Sequence, residues 1–401
     1  MKLPGGWKVE KLGGLAVISA GQGAPQKESD YSDEGYPFVK ASNLQFLCNR
    51  GSESVIPKIS DCIAKQKKLR LYNEGTIIFA KSGMSCMKER VYTINGPCYI
   101  VNHLACVTPK SVNSKYLMYH LKRNPPTRLI KDMSYPSIRL SDIEDMDIMV
   151  PALETQKKIV EVLEKAEKAL EKRKEANWLL DELVKSKFIE MFGDPVINSK
   201  GWDIKDLGTL GYFKNGMNYK QSDSGFNIKF LGVGEFKYGN KIDSSNMLPT
   251  LELQEEPNEE YLLKKGDIVF VRSNGSKELV GRSILVRELE EKTTYSGFCI
   301  RYRNQFEEVT TDFLIHLFAD KSFKKSLKKD SRGANINNLN QQMLSSLKII
   351  VPQLELQNEF VDFVKQVDKL KFEMQKSLEE MENNFNSLMQ DAFNGKLEFK
   401  Q

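Results

Sequence analysis

The chain has 401 residues, of which 28% are charged and 40% hydrophobic, with a formal net charge of +5 at pH 7. This length excludes one ordinary domain and suits two or three, and the composition is typical of a folded soluble protein. The mild positive charge permits a polyanionic partner without requiring one. With no signal peptide and no apolar run long enough to cross a membrane, we expect a cytoplasmic protein whose six cysteines are reduced.

Residues 1–150 are predicted to form a β-rich α+β domain. The apolar runs PFVKASNL (37–44) and GTIIFAKSG (75–83) are bounded by Gly, Asn, Ser or Pro and predict strands. The stretch KYLMYHLKRN (115–124) has the spacing of an amphipathic helix.

A long helix is predicted for residues 151–194. Pro151 suits the first turn of a helix, and neither Pro nor Gly recurs before Gly193. A helix of about 40 residues spans roughly 60 Å, which favours a coiled coil over an ordinary globular helix. Its seam, at steps of three and four residues, comprises Ile159, Leu163, Ala166, Leu170, Arg173, Asn177, Leu180 and Val184.

Residues 195–351 repeat this organisation. Strands are predicted in IKFLGVGEF (228–236), GDIVFVRSNG (266–275) and SGFCIRY (296–302), and a helix in TDFLIHLFAD (311–320). The second long helix is assigned to residues 352–401. Its seam, interrupted by Lys371, comprises Phe360, Val364, Val367, Met374, Leu378, Met381, Phe385 and Leu388.

The two halves form an internal repeat. The opening VPALETQ at Val150 returns as VPQLELQ at Val351, and GWKVEKLGGL at Gly6 returns as GWDIKDLGTL at Gly201. The offset between halves changes within the β-rich blocks but not along the helices, so the loops vary and the helices keep their length. A pseudo-two-fold repeat in one chain predicts that the two helices pair as an antiparallel coiled coil.

The strand ends carry residues suited to DNA. Arg reads guanine and Asn reads adenine in bidentate fashion, whereas Lys and Ser bind phosphate. Taken one at a time, these residues are better explained as ordinary polar strand ends and a solvated basic face; as a set in repeated positions they favour DNA. The candidate contacts are Lys40, Ser42, Asn43, Lys81, Ser82, Arg139, Arg272, Ser273, Asn274, Lys277, Lys328, Arg332, Asn335 and Asn337.

Over essentially its whole length the chain resembles the specificity subunit of Type I restriction–modification systems. The matching marks are Trp7 and Leu12 with Trp202 and Leu207, PALETQ with PQLELQ, and FIEMFGDP (188–195) with MQDAFNGKLEF (389–399). The resemblance implies two target recognition domains that each read half of a bipartite double-stranded DNA target. It implies helices that set the spacer and dock two modification subunits, with restriction subunits joining the assembly. S-adenosylmethionine, ATP and magnesium are then expected on partner subunits and no cofactor on this chain.

A self-contained adenine-N6 methyltransferase is the enzymatic alternative. NPPT (124–127) resembles the Asn-Pro-Pro-aromatic motif of that class, and FLGVG (230–234) resembles its cofactor loop. However, Thr127 replaces the aromatic that stacks on a flipped base. The repeat also places FLGVGE opposite FVKASN (38–43), which contains no glycine. We therefore expect no catalysis by this chain.

Three further alternatives concern metal binding, ATP hydrolysis and a protein scaffold. A zinc site built from Cys86, Cys98, His103 and Cys106 fits no common ligand spacing, so no metal is expected. No phosphate-binding GxxxxGK[ST] loop occurs, so ATP hydrolysis is not expected here. A coiled-coil scaffold with two protein-binding heads would share the helices but would lack salt-dependent affinity for DNA.

Overall fold

The computed structural model describes residues 5–49, 51–219, 225–237, 239–275, 278–327 and 338–397. The chain divides into two compact units. Unit 1 comprises residues 1–174 and 376–401, and unit 2 comprises residues 175–375. Each unit therefore contains one β-rich block together with a segment of each long helix.

The described residues of the first block form nine short strands and five short helices. The strands are β1 (Lys8–Lys11), β2 (Ala16–Ala20), β3 (Tyr36–Val39), β4 (Lys58–Ile59), β5 (Ile77–Ala80), β6 (Val91–Thr93), β7 (Tyr99–Ile100), β8 (Leu104–Pro109) and β9 (Asp147–Val150). The helices are α1 (Leu12–Leu15), α2 (Leu44–Cys48), α3 (Asp61–Gln66), α4 (Ser114–Arg123) and α5 (Leu140–Glu144). The long helix α6 follows over Leu153–Phe192.

The second block repeats this order and ends at the long helix α11 (Leu354–Phe393). Its strands are β10 (Asp203–Asp206), β11 (Gly211–Asn215), β12 (Phe226–Leu231), β13 (Lys241–Ile242), β14 (Thr250–Leu253), β15 (Ile268–Val271), β16 (Ser283–Val286), β17 (Thr293–Tyr295), β18 (Cys299–Asn304) and β19 (Lys348–Val351). Its helices are α7 (Leu207–Leu210), α8 (Thr311–Ala319), α9 (Lys321–Leu327) and α10 (Gln341–Ser345).

The sheets of the two units have matching topology, except that β13 adds an edge strand in unit 2. Unit 1 orders its strands β2-β8-β5-β6 and β4-β3-β7, with β1 paired to β9. Unit 2 orders its strands β11-β18-β15-β16-β13 and β14-β12-β17, with β10 paired to β19. In both units the buried strand that ends in the predicted polar residues, β5 or β15, lies inside its sheet between two antiparallel neighbours. The predicted two-domain α+β fold with two long helices is thus confirmed.

One predicted strand in each half is too long. In unit 2 the run IKFLGVGEF is a strand only to Leu231, and residues 234–237 form a 3-10 turn. The run PFVKASNL continues the strand to Leu44, but β3 ends at Val39 and residues 41–43 form a 3-10 turn that leads into α2. The Oδ1 atom of Asn43 accepts a hydrogen bond from the Lys40 backbone N–H at 2.8 Å. This side-chain acceptor gives the backbone a local partner and turns the chain away from the sheet.

The long helices are antiparallel where they meet within unit 2. Asn177 donates to Gln375 at 3.5 Å, and further along α6 the side chain of Asp181 pairs with Lys371, nearer the start of α11. Every predicted seam position on both helices is buried or half-buried, including Arg173 and Asn177. The period of 3.5 residues therefore located the contact stripe correctly.

The repeated glutamine in PxLExQ anchors each long helix to its own block. Gln156 is 2% exposed; its Oε1 accepts from the Asn113 N–H at 2.9 Å and its Nε2 donates to the Pro151 carbonyl at 2.9 Å. Gln357 repeats both bonds, to Thr310 and Pro352. The helices begin two residues after the prolines, so the placement of the prolines in the first turn was wrong: their carbonyls accept these bonds instead.

The aromatic residues at the helix ends complete the two cores. Phe188 and Phe192 of α6 pack on Phe360 of α11, with ring centroids 5.5 Å apart in both pairs, and both also pack on Phe313 of α8.

In the described parts of the chain, no helix is long and apolar enough to cross a membrane.

Candidate nucleic-acid interface

Two predicted polar strand ends of unit 1 meet at one turn. This turn, residues 101–103, connects β7 to β8. Residues at the ends of β3 and β5 hydrogen-bond to it through their main chains. Val101 donates its backbone N–H to the carbonyl of Val39 at 3.0 Å, and Lys81 donates to the carbonyl of His103 at 2.9 Å. Lys40 and Lys81, which directly follow β3 and β5, therefore lie beside the same turn.

A third segment joins this edge from far along the chain. Ile138 donates its N–H to the Lys81 carbonyl at 2.8 Å, and Gly83 donates to the Pro136 carbonyl at 3.0 Å. These bonds place Ser82 opposite Ser137 in an isolated antiparallel bridge. Arg139, an exposed residue that directly follows Ile138, is thereby brought close to the end of β5.

The side chains on this edge are polar and make few contacts with other described side chains. Ser82 Oγ and His103 Nδ1 lie 2.8 Å apart in a hydrogen bond. The Nζ atom of Lys40 lies 4.6 Å from the ring centroid of Tyr31. Within the described ranges, Lys81 and Arg139 form no ion pair. Positive charges without carboxylate partners are available to phosphate, and Ser42 beside them is exposed.

Unit 2 repeats the same backbone framework around the turn at residues 296–298, which connects β17 to β18. Ser296 donates to the Leu231 carbonyl at 3.0 Å, and Arg272 donates to the Phe298 carbonyl at 2.8 Å. Leu339 donates to the Arg272 carbonyl at 2.9 Å, in the place that Ile138 occupies in unit 1. Ser273 and Asn338 form the corresponding isolated bridge.

Two equivalent glycines permit this close approach of main chains. A Cβ atom on Gly21 would lie 2.2 Å from the carbonyl oxygen of Ile100, and one on Gly216 would lie 2.1 Å from the carbonyl oxygen of Ser296. Both distances are far below van der Waals contact, so a side chain at either position would displace the turn.

The side chains of unit 2 differ from those of unit 1. Arg272 and Ser273 are partly exposed and Asn274 is exposed. Arg272 forms no ion pair with any residue that the structure describes. The large ring of Phe298 is 62% exposed. The other candidates in this half lie outside the described residues: Lys277, Lys328, Arg332, Asn335 and Asn337.

We call these two edges the strand-end surfaces. The unit 1 surface comprises Lys40, Ser42, Lys81, Ser82, His103, Ser137 and Arg139. The described part of the unit 2 surface comprises Arg272, Ser273, Asn274, Phe298 and Asn338. His103, Ser137, Phe298 and Asn338 were not among the residues predicted from the sequence to contact DNA. The available signal was the repeat itself, because His103 and Phe298 stand at equivalent places after matching strands.

The segments that resembled a methyltransferase have local structural roles. Thr127 Oγ1 donates to Glu89 Oε1 at 3.0 Å in a 3-10 turn after α4. The loop after β12 folds so that a Cβ on Gly232 would lie 3.0 Å from a carboxylate oxygen of Glu235. Pairing of β12 with β17 matches that of β3 with β7, as the alignment of FLGVGE with FVKASN requires.

Cys98 and Cys106 are buried, protonated thiols at neutral pH. Burial raises the pKa of Cys98 and of Cys106 to about 12, and thiolates rather than thiols act as nucleophiles and metal ligands. Over the described ranges, the side chains of His, Cys, Asp and Glu form no group of three or more that could hold a metal ion.

Comparison with known proteins places the chain in a family. The sequence model described as "Type I restriction modification DNA specificity domain" matches residues 4–178 and again 199–383. The StySPI specificity subunit of Salmonella potsdam is 24% identical, over 99% of this chain and 90% of that protein. The MjaIX specificity subunit of Methanocaldococcus jannaschii is 34% identical over 37% of this chain and 35% of that protein.

A solved structure supports the same fold. It is described as the structural basis of complex assembly and conformational transition of the type I R-M system, and it matches 99% of this chain and 100% of its own, with a TM-score of 0.61 and 16% sequence identity. Because the family sequence model covers both β-rich blocks, the repeat seen in the sequence is a repeat of the specificity domain itself. The chain belongs to the family of specificity subunits of Type I restriction–modification systems, whose function is the recognition of DNA sequence.

Proposed function

We propose that each unit reads one half of a bipartite target in double-stranded DNA through its strand-end surface. The observation that carries this proposal is the repeated framework, in which the same main-chain bonds hold two different sets of exposed side chains. A shared scaffold with different side chains suits the reading of two different half-sites. Base contacts specify and phosphate contacts position, and both strand-end surfaces contain residues suited to each role.

Replacing Lys81 or Arg272 with Ala is expected to lower the salt dependence of DNA binding. Each phosphate contact contributes about −0.9 to the slope of log K against log salt concentration, so each substitution reduces its magnitude by about that amount. The measurement is duplex DNA binding across salt concentrations, using the chain assembled with its modification subunit.

Lys115→Ala is the matched control. It removes the same charge from unit 1, but Lys115 is paired with Glu164 on α6 and lies outside the strand-end surface. An equal loss of slope in the control would assign the effect to net charge and contradict the proposed interface. A complex without steep salt dependence would favour the scaffold with protein-binding heads.

We further propose that the long helices set the spacer between half-sites and dock the modification subunits. Support comes from their equal length of 40 residues and from exposed apolar side chains on them. Trp178 is 58% exposed and Phe372 is 71% exposed, and both line one groove of about 890 Å³ in unit 2. Aromatic side chains of this kind dominate the binding energy of protein interfaces.

Replacing Trp178 and Phe372 together with Ser is expected to weaken capture of the modification subunit by at least ~10-fold, since two interface anchors each contribute more than about 1 kcal/mol. The measurement is the affinity of the purified chain for that subunit. Val55→Ser is the control, because Val55 is 68% exposed but lies in the β-rich block of unit 1. Unchanged capture by the double variant would exclude this groove as a docking site.

In this assignment the chain is a non-catalytic cytoplasmic subunit. S-adenosylmethionine, ATP and magnesium would be held by the modification and restriction subunits. The support is the family membership together with the local structural roles of the two methyltransferase-like segments. Methylation by the purified chain alone would refute this assignment.

A further inference from the structure

Residues 103 and 298 occupy the same place in two rigid turns. In each unit main-chain bonds hold the turn to neighbouring strand ends and to itself, and in unit 2 the Ser296 Oγ atom also accepts from the Phe298 N–H at 3.2 Å. The unit 1 donors and acceptors are Val101 to Val39, Asn102 to Gln22, Lys81 to His103 and Leu104 to Val101. The unit 2 donors and acceptors are Ser296 to Leu231, Gly297 to Met217, Arg272 to Phe298 and Cys299 to Ser296.

The side chains at these two positions take no part in the main-chain bonds of that framework, although the His103 ring hydrogen-bonds to Ser82. Phe298 is 62% exposed, although a phenylalanine ring gains free energy when it is buried. It takes part in none of the aromatic ring pairs among the described residues, in contrast to Phe270 and Phe318 in the adjacent core. His103 is also exposed, and its ring contacts Ser82 rather than the core.

The two side chains offer opposite chemistry from the same scaffold. An exposed phenylalanine suits apolar contact with the 5-methyl group of thymine, the one apolar group on the major-groove edge of a base pair. His103 uses Nδ1 in its hydrogen bond with Ser82, which orients the ring and leaves Nε2 to bond to a base edge. Arg272 and Ser273, whose N–H groups both point to the Phe298 carbonyl, lie beside the phenylalanine and are suited to phosphate.

We propose that residues 103 and 298 are equivalent specificity-determining positions. Phe298 contacts a thymine methyl in the half-site read by unit 2, and His103 hydrogen-bonds to a base in the half-site read by unit 1. This inference rests on the proposed function of the strand-end surfaces. The rigid turn fixes the backbone at each position, and the hydrogen bond with Ser82 orients the His103 ring, as sequence readout requires.

Uracil substitution tests the thymine contact. The full chain is assembled with its modification subunit and the target is first established by methylome sequencing. Each thymine of the target is then replaced in turn by deoxyuridine, which removes only the 5-methyl group. One replacement is expected to weaken binding by the wild-type complex about fourfold, the effect of one buried methyl group. The same replacement is expected to leave binding by the Phe298→Ala complex unchanged.

Phe306→Ala is the matched control, since Phe306 is 49% exposed in the same unit but lies in the loop after β18. The Phe306→Ala complex should keep the full uracil penalty. If no thymine shows a penalty, or if Phe298→Ala retains it, the contact is absent and the proposal is overturned. If the wild-type complex shows no sequence-specific methylation, the proposed function itself is refuted.

Exchanging the side chains of residues 103 and 298 tests whether the two positions are equivalent. His103→Phe and Phe298→His are each expected to change the preferred base at one position, and the two positions should lie in different half-sites. Methylome sequencing of cells that carry each variant measures both. Changes in the same half-site, or in neither, would overturn the assignment of these residues as equivalent reading positions.

Discussion

Insertion of one heptad into each long helix is expected to lengthen the spacer of the DNA target by about three base pairs. Seven residues extend an α-helix by ~10 Å, and successive base pairs are separated by about 3.4 Å. The insertions belong after Trp178 and after Glu373, because both points lie between the facing pairs Asn177–Gln375 and Asp181–Lys371. Both half-sites should remain unchanged, and methylome sequencing measures spacer and half-sites together.

A heptad inserted into α6 alone is the informative control. The helices pair antiparallel across these positions, so a single insertion moves one seam past the other and leaves apolar residues without partners. Reduced stability and loss of methylation are expected from that variant. An altered half-site in the doubly extended variant would contradict the proposal that the helices act on spacing alone.

Replacing Gln357 with Leu is expected to destabilise unit 2 by roughly 3–5 kcal/mol. The side chain is fully buried, and its loss leaves three main-chain groups without partners: the Thr310 N–H and the carbonyls of Glu308 and Pro352. A buried polar group without a hydrogen bond costs about 1–3 kcal/mol. Hydrogen exchange measured by mass spectrometry should show faster exchange in α8, whose first residue follows Thr310.

Two further variants test whether the faster exchange in α8 is specific to the loss of Gln357. Gln156→Leu should accelerate exchange in α4 rather than α8, because Gln156 bonds to Asn113 just before α4. Gln366→Leu changes an exposed glutamine on the same helix as Gln357 and should alter neither. Similar exchange in the Gln366 and Gln357 variants would show that the buried bonds do not anchor α11 to its block.

The helical half of the fold could be predicted because its determinants are local. Helix length follows from the absence of Pro and Gly, and the seam follows from a period that repeats along one segment. The start of each helix was misplaced by two residues because Pro352 serves as an acceptor for Gln357, a contact between a side chain and a carbonyl that spacing alone does not reveal.

The strand-end surface of unit 1 could be predicted only in part, because it is assembled from residues that lie far apart in the sequence. Lys81 and Lys40 could be named as strand ends from short apolar runs. That Arg139 joins Lys81 depends on the bond from Ile138 to Lys81, between residues far apart in the sequence. His103 was weighed only as a zinc ligand, since its place at the junction of two strand ends exists only after β7 and β8 have found their partners.

The main-chain origin of the bonds around residues 103 and 298 has a consequence for how such a protein can evolve. A substitution at either position leaves the main-chain bonds of the turn intact, so a change of side chain costs little in foldability. Gln156 and Gln357 differ, because their own side chains form the hydrogen bonds that anchor the long helices, so a substitution removes those bonds. With the proposed reading roles of residues 103 and 298, single mutations would give access to new DNA targets, while the anchoring of each helix tolerates few changes.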